Sequence, residues 1–280
     1  MLAVERRQAI FSILQEAGSV TVVDLSQRFD VSEETIRRDL TKMESGGLLQ
    51  KTYGGAFINR GMHREVPIAL REHTYLEGKN TIGELAAELI NNGDTIFLDA
   101  STTAVAIAEH ILEKKNLIVI TNALRVAEAL ARGSGIKVIC TGGTLRPATL
   151  TTVGKAAESA VATYFADKAF ICCDGVHRQH GVTDANEREA EVRKHMMRQA
   201  ESSILVVDAT KFDKTSFVHM AEFSDFDALI TDKPVSAEWA ATLTEHDVNT
   251  IAPVAPSADT PSFAVHNTAL TADSPEASSQ

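Results

Sequence analysis

Cysteine is scarce, with three in 280 residues. Cys172 and Cys173 sit side by side on an apolar run and Cys140 ends another. Adjacent cysteines make a poor structural disulfide, and their spacing matches neither a secreted framework nor a zinc pattern. All three are expected to be small buried thiols, with no metal held. Long apolar runs are missing too. None approaches the roughly 18 residues that a membrane helix needs, and MLAVERRQAI carries no signal-peptide core after its basic pair. A cytoplasmic protein with no membrane partner is expected. Basic charge is also in deficit: 27 Lys and Arg against 38 Asp and Glu give a net charge of −11. That excludes a chain coated in positive charge for nucleic acid, but it leaves room for a local basic face. A phosphate-binding P-loop is absent, because Gly154-Lys155 is followed by alanine and lacks the glycine five residues before it. No cofactor is implied.

What is present is an ordinary globular composition, 44% hydrophobic and 23% charged, in a chain long enough for one large domain or two ordinary ones. Residues 1–60 balance eight basic side chains against eight acidic ones, so the acid excess lies after them. Within residues 37–60, five basic residues (Arg37, Arg38, Lys42, Lys51, Arg60) stand against two acidic ones. Ile10, Ile13, Leu14 and Ala17 keep helical spacing, and Gly18 is placed to end that helix. Thr21 can cap a second helix, with Leu25 and Phe29 on its inner face. Ser32 can cap a third, with Glu33 and Glu34 suiting its positive dipole end. At about 100° per residue, Ile36, Leu40 and Met43 of this third helix fall together, opposite Glu34, Arg38 and Thr41. Gly46-Gly47 ends it. LLQKTY, a GG turn and AFIN then read as the two strands of a wing. A helix with one dry side and one side of arginine, lysine and hydroxyls, followed by a wing, predicts a winged helix-turn-helix over 1–58.

VSEETIRRDL followed by LLQKTYGGAF resembles the DeoR family of bacterial transcription regulators. The resemblance runs through Arg7, Thr35, Ile36, Arg37, Arg38, Asp39, Leu40 and Gly54-Gly55; Tyr53 stands where the commonest family wing has histidine. Double-stranded operator DNA is the partner implied. Thr35 and Arg38 are expected nearest the bases, since arginine can grip guanine bidentately. Arg37, Lys42, Lys51 and Tyr53 are expected to hold backbone phosphates.

Residues 59–77 read as a linker. Over 78–251, short apolar runs (TIFLD, NLIVIT, IKVICT, KAFICCD, SILVVDAT, DALITD) alternate with helical patterns at about 102–115, 122–132, 154–165, 187–202 and 235–246. Such alternation predicts an α/β domain with a mainly parallel sheet, whose ligands sit at the carboxyl ends of strands. Those ends hold Asp99, Ser101, Thr102 and Thr103; Thr121 and Asn122; Gly142 and Gly143; Asp174; and Lys211. Hydroxyls, glycines and helix N-termini suit an anion, while Asp99, Asp174 and Glu189 can accept from sugar hydroxyls. The series DASTT, TN, GGTLR, DGV…HGVTD and DATKF is similar, in order, to the family's effector domain. The resemblance implies a fold like ribose-5-phosphate isomerase and a small phosphorylated sugar as effector, with His177 and His180 flanking a loop near it. Ser101 stands where a glycine is expected. Residues 252–280, rich in Ala, Ser, Thr and Pro, are expected to be disordered.

These observations point to a DNA-binding regulator without catalytic residues, most simply a repressor of a carbohydrate-catabolism operon. A single recognition helix reads a short site, so a homo-oligomer, dimer or higher, is expected. Two alternatives stay open: an isomerase-like enzyme carrying a DNA-binding domain, and a metal protein built on Cys172, Cys173, Asp174, His177 and His180.

Overall fold

The computed structural model describes residues 1–253 except 46–47, 53, 58–67 and 73–74. Tyr53, the Gly46-Gly47 helix end, most of the 59–77 linker and nearly all of the 252–280 tail lie outside the described residues.

The N-terminal unit is built by local stop and start signals. Helix α1 (Ala3–Ala17) ends at Gly18, whose φ of 79° lets its N–H turn back to the Leu14 carbonyl at 2.8 Å, a left-handed cap that glycine adopts without steric cost. Strand β1 (Ser19–Thr21) follows. The Thr21 hydroxyl then accepts the Asp24 N–H at 3.1 Å and starts α2 (Val22–Phe29). Ser32 does the same for α3 (Glu33–Ser45), accepting the Thr35 N–H at 3.2 Å. Strands β2 (Gln50–Lys51) and β3 (Gly55–Phe57) complete the wing.

The sheet order is β1-β3-β2, so the wing gains a third strand beyond the two that the sequence predicts. Gly55 is why it fits. A Cβ there would stand 2.0 Å from the Val20 carbonyl oxygen of β1. Ile10, Leu14, Leu25, Ile36, Leu40, Met43 and Leu49 form the core. Asp39 departs from the outward charge pattern of α3. It is buried, and it receives Arg6 Nε at 2.6 Å and Arg7 at 3.1 Å, pinning α1 to α3.

A short helix, α4 (Ile68–Arg71), leads into α5 (Leu76–Leu89). The larger unit then runs β4 (Thr95–Leu98), α6 (Thr102–His110), β5 (Leu117–Thr121), α7 (Leu124–Leu130) and β6 (Ile136–Cys140). A hairpin, β7 (Thr144–Arg146) with β8 (Thr151–Val153), precedes α8 (Lys155–Val161) and β9 (Ala166–Ile171). Next come β10 (Gly175–His177), β11 (Gly181–Asp184), α9 (Glu187–Arg198), β12 (Ala200–Val206), β13 (Val218–Ala221), β14 (Ala228–Ile230), α10 (Ala237–Glu245) and β15 (Asn249–Ile251).

The main sheet has seven strands in the order β15-β14-β12-β9-β4-β5-β6, every neighbouring pair parallel. The predicted α/β class and parallel sheet are therefore present, with β15 and two small antiparallel sheets added. Strand residues alternate between two cores. Ile96 and Leu98 face α5, α6 and α7, whereas Phe97 faces α8, α9 and α10. Helix α5 lies close on α6 because Gly83 has no side chain; a Cβ would stand 2.9 Å from the Ala106 carbonyl oxygen.

Cys172 and Cys173 are buried, one in each core, just past the end of β9. Cys140 corrects the expectation of three buried thiols. It ends the edge strand β6 and is exposed.

Candidate functional site

Two regions carry the predicted site residues. The first is the outer face of α3. Arg37, Arg38 and Lys42 are exposed there and Thr35 is half-buried, its hydroxyl 2.9 Å from that of Ser32. Arg37 reaches back one turn to Glu33 at 2.6 Å. Lys51 joins this face from the wing, its Nζ donating to the Thr41 hydroxyl at 2.7 Å. Arg38 takes part in none of the ion pairs found among the described residues. Its guanidinium faces water with its donors available, which is the state a base-reading arginine needs before DNA arrives.

The second region lies where the strand order changes direction. From β4 the chain continues outward to β5 and β6, and then returns to add β9 on the other side. A crevice opens at such a switch point, beyond the carboxyl ends of the two strands. Ser101, Thr102 and Thr103 line it after β4, and Cys172, Cys173 and Asp174 line it after β9. Asp208, Thr210 and Lys211 enter from the end of β12. Ser101 caps α6, accepting the Ala104 N–H at 2.9 Å, so the serine found in place of a glycine closes the helix start. The first turn of α6 begins at the cleft wall. Val105 makes the first i to i−4 bond, to Ser101, which leaves the Thr102 and Thr103 N–H groups in the part of a helix that has no intrahelical acceptor.

Charge in the cleft is dense. Lys211 Nζ is 3.3 Å from Asp174 Oδ1, and Arg71 approaches the same oxygen at 3.7 Å. Burial works against the Lys211 ammonium, but Asp174 and Asp208 outweigh it and hold the charge on more firmly than in water. Burial likewise opposes the Asp174 carboxylate, yet Lys211, Arg71 and Arg193 keep it ionised well below the usual range. Lys79 behaves differently. Burial pulls its pKa down to about 8; Asp208 opposes that, and Lys211 and Arg71 add to it. Burial, with Asp99 beside it, pushes the Cys172 thiol up to about 11, so it stays protonated and inert. Arg71, Tyr75 and Lys79 are cleft residues that sequence reasoning missed. They lie before β4, away from every strand end of the main sheet; a lysine on the buried side of the amphipathic α5 is the signal the sequence carries.

Other predicted residues hold the cleft up from behind. Asp99 is fully buried. It accepts from Ser101 N–H at 3.1 Å, Cys172 N–H at 2.9 Å and Arg193 Nε at 2.7 Å. Glu189 is 2% exposed and accepts from Arg146, from Thr149 at 2.9 Å and from Thr151 at 2.8 Å. Arg193 itself ties Asp99, Asp184 and Glu189 together. Burial raises Asp184 to about 6 against the pull of Arg193.

Thr121, Asn122, Gly142 and Gly143 do not line the cleft, because β5 and β6 lie beyond β4 on one side of it. Thr121 accepts the Ala123 N–H at 3.1 Å, and Asn122 donates to the Thr152 carbonyl at 2.9 Å, fixing the β7–β8 hairpin. Gly142 and Gly143 are exposed at its entrance with φ of 64° and 120°. His177 and His180 stack on each other at 4.5 Å between ring centroids and are also outside the cleft.

Residues 74–233 match the DeoR C terminal sensor domain, and residues 6–61 match the DeoR-like helix-turn-helix domain. The chain is 39% identical to the transcriptional regulator YulB of Bacillus subtilis (strain 168), over 83% of this chain and 90% of that one. It is 36% identical to the transcriptional repressor GlcR of the same organism, over 82% and 88%. It is 29% identical to the glycerol-3-phosphate regulon repressor of Escherichia coli (strain K12), over 89% and 98%. These relatives are regulators and not enzymes, which removes the isomerase reading. Among solved structures, ribose 5-phosphate isomerase A of Methanocaldococcus jannaschii aligns over 48% of this chain and 53% of its own. The identity is 15% and the TM-score 0.35, a loose likeness that adds nothing to what the cleft itself says.

Proposed function

This chain is a member of the DeoR family of DNA-binding transcriptional regulators, and from that premise we propose that it represses a carbohydrate-catabolism operon in the cytoplasm under the control of a phosphorylated sugar. The observation that carries the reading is the switch-point cleft. One side offers the free amides at the start of α6 with the Thr102 and Thr103 hydroxyls, which suit phosphate oxygens. Lys79, Lys211 and Arg71 supply positive charge, while Asp174 and Asp208 offer acceptors for sugar hydroxyls. An anion with hydroxyls matches this mixture better than a wholly apolar or wholly anionic ligand. Among the relatives, the name of the glycerol-3-phosphate regulon repressor supports a phosphorylated metabolite.

On the DNA side, Arg38 and Thr35 approach base edges, and Arg37, Lys42, Lys51 and Tyr53 hold phosphates. A homo-oligomer presents two recognition helices to paired half-sites. Effector binding lowers operator affinity, and by linkage operator DNA lowers effector affinity by the same factor.

The test is a melting-temperature screen of sugar phosphates, since a ligand of the native state raises the transition. Titration of the best compound against an operator complex follows. A compound that raises the melting temperature and releases DNA supports the reading. A complete panel that does neither would sink it.

A further inference from the structure

One wall of the cleft does not come from the sensor unit. Phe11 lines the same cavity as Tyr75, Lys79, Asp174 and Lys211, although it belongs to α1 of the DNA-binding unit. On α1 the apolar stripe is Ile10, Ile13, Leu14 and Ala17; at about 100° per residue, Phe11 falls on its flank. A flank position on a small bundle is ordinarily wet, yet Phe11 is 3% exposed. It belongs to the winged-helix core and also lines the cleft.

The segment that joins the two units is tied into the same charges. Arg71 of α4 approaches Asp174 at 3.7 Å, its carbonyl accepts from Lys79 Nζ, and its neighbour Glu72 pairs with Arg125. Tyr75, which starts α5 and lines the cleft, has a φ of 60°. That region is uncommon for a bulky side chain and persists only where the surroundings enforce it.

We propose that Phe11 is a ligand-contacting residue of the effector site, and that through it the bound effector holds the winged helix docked on the sensor unit. This rests on the phosphorylated-effector reading above and extends it to the coupling. A ligand can shift an equilibrium only through contacts that differ between the two states. A ligand touching the sensor unit alone has no direct contact that changes when the DNA-binding unit undocks. A ligand enclosed partly by Phe11 does. Docking fixes where each α3 points, and operator binding requires the two recognition helices of an oligomer at half-site spacing. The docked arrangement is thus the effector-favoured state of low operator affinity.

The test uses the full chain with Phe11→Leu and Phe11→Met, which keep an apolar side chain in the bundle. The probes are glucose 6-phosphate, fructose 6-phosphate, fructose 1-phosphate, ribose 5-phosphate and glycerol 3-phosphate, with inorganic phosphate as the anion alone. The expected result is that the best sugar phosphate binds Phe11→Leu about tenfold more weakly, while inorganic phosphate, which reaches only the cationic end, binds as before. The ratio of operator affinities without and with that sugar phosphate should move toward one. In the unmodified chain, the same compound should slow amide hydrogen exchange in α1 and inorganic phosphate should not; this readout stands whether or not the variants fold. If the sugar phosphate leaves α1 exchange unchanged, or folded variants bind and respond like the parent, Phe11 is not part of the site and only this inference falls. If no phosphorylated compound binds the parent chain, the effector reading itself falls and takes the inference with it.

Discussion

The outer face of α3 and the switch-point cleft hold the same kinds of side chain and treat them in opposite ways. On α3, Arg37, Arg38 and Lys42 stand in water, and the one ion pair they make among the described residues, Arg37 with Glu33, is itself half-exposed. In and behind the cleft, Arg193, Asp99, Asp184 and Glu189 are buried and committed to one another. The difference separates charges left open to a partner from charges that build the scaffold. Lys79, Lys211, Arg71, Asp174 and Asp208 stand between these extremes, lodged in the fold and lining the cleft.

The largest effect should come from breaking the buried set. Arg193→Met removes one cation from among three carboxylates that have no water to turn to. Breaking a buried charge cluster from one side costs about 3–5 kcal/mol, so denaturant unfolding should show a loss of that size. A loss below about 1 kcal/mol would mean that Arg193 is not the organiser of the cleft. Next in size is Arg38→Ala. Operator affinity should fall by about 10- to 100-fold, with relaxed specificity at one base pair. Stability should stay within about 0.5 kcal/mol, as for other exposed positions. An unchanged footprint would remove Arg38 from the base-reading set and erase the contrast with Arg193.

Lys79 sharpens the comparison with pH. Its ammonium is held down to about 8 in the folded chain, against an ordinary 10.5. Between those values the unfolded chain carries a proton that the folded chain has lost. This group therefore makes stability rise as pH increases from about 8 to 10.5. An anionic effector acts in the opposite sense, because it binds the protonated lysine. Effector affinity should thus weaken as pH rises through about 8, a range in which a phosphate monoester is already dianionic. Calorimetry at pH 8.5 in two buffers of different ionisation enthalpy should report proton uptake on binding. Lys79→Met should abolish that uptake; uptake that persists in the variant would place the titrating group elsewhere.

Legibility in the sequence follows the same division. The helices of the DNA-binding unit announce themselves through Gly18, Thr21 and Ser32, because caps and periodicity are local. The β strands of the parallel sheet are equally plain, since burial on both faces makes continuous apolar runs. What stayed hidden depends on contacts distant in sequence. Asp39 looks like one more charge on α3 until Arg6 and Arg7 arrive from α1. Five strand ends look equivalent until the strand order puts β4 and β9 side by side and leaves the ends of β5 and β6 off the cleft. Asp99 and Glu189 have the right chemistry for a sugar hydroxyl, but their oxygens are already taken. Residue type indicates what a group can do, and topology decides whether it is available.

Arg37 provides the smallest and most discriminating test of that distinction. Its pair with Glu33 is an exposed i,i+4 contact at 2.6 Å, with the two side chains 49% and 45% exposed. Pairs of this kind contribute under about 1 kcal/mol, because water solvates both partners nearly as well. Arg37→Ala should therefore leave the melting curve almost unmoved. A phosphate of DNA can compete with Glu33 for the guanidinium, so Arg37 can exchange partners when the operator arrives. If it does, its loss weakens specific and nonspecific DNA alike and reduces the slope of log affinity against log salt by about one. The base preference of the site stays as it was. A variant that alters sequence preference, with the salt slope intact, would put Arg37 in the groove beside Arg38. A variant that changes neither would leave Arg37 as a solvated side chain whose partner is Glu33 with or without DNA.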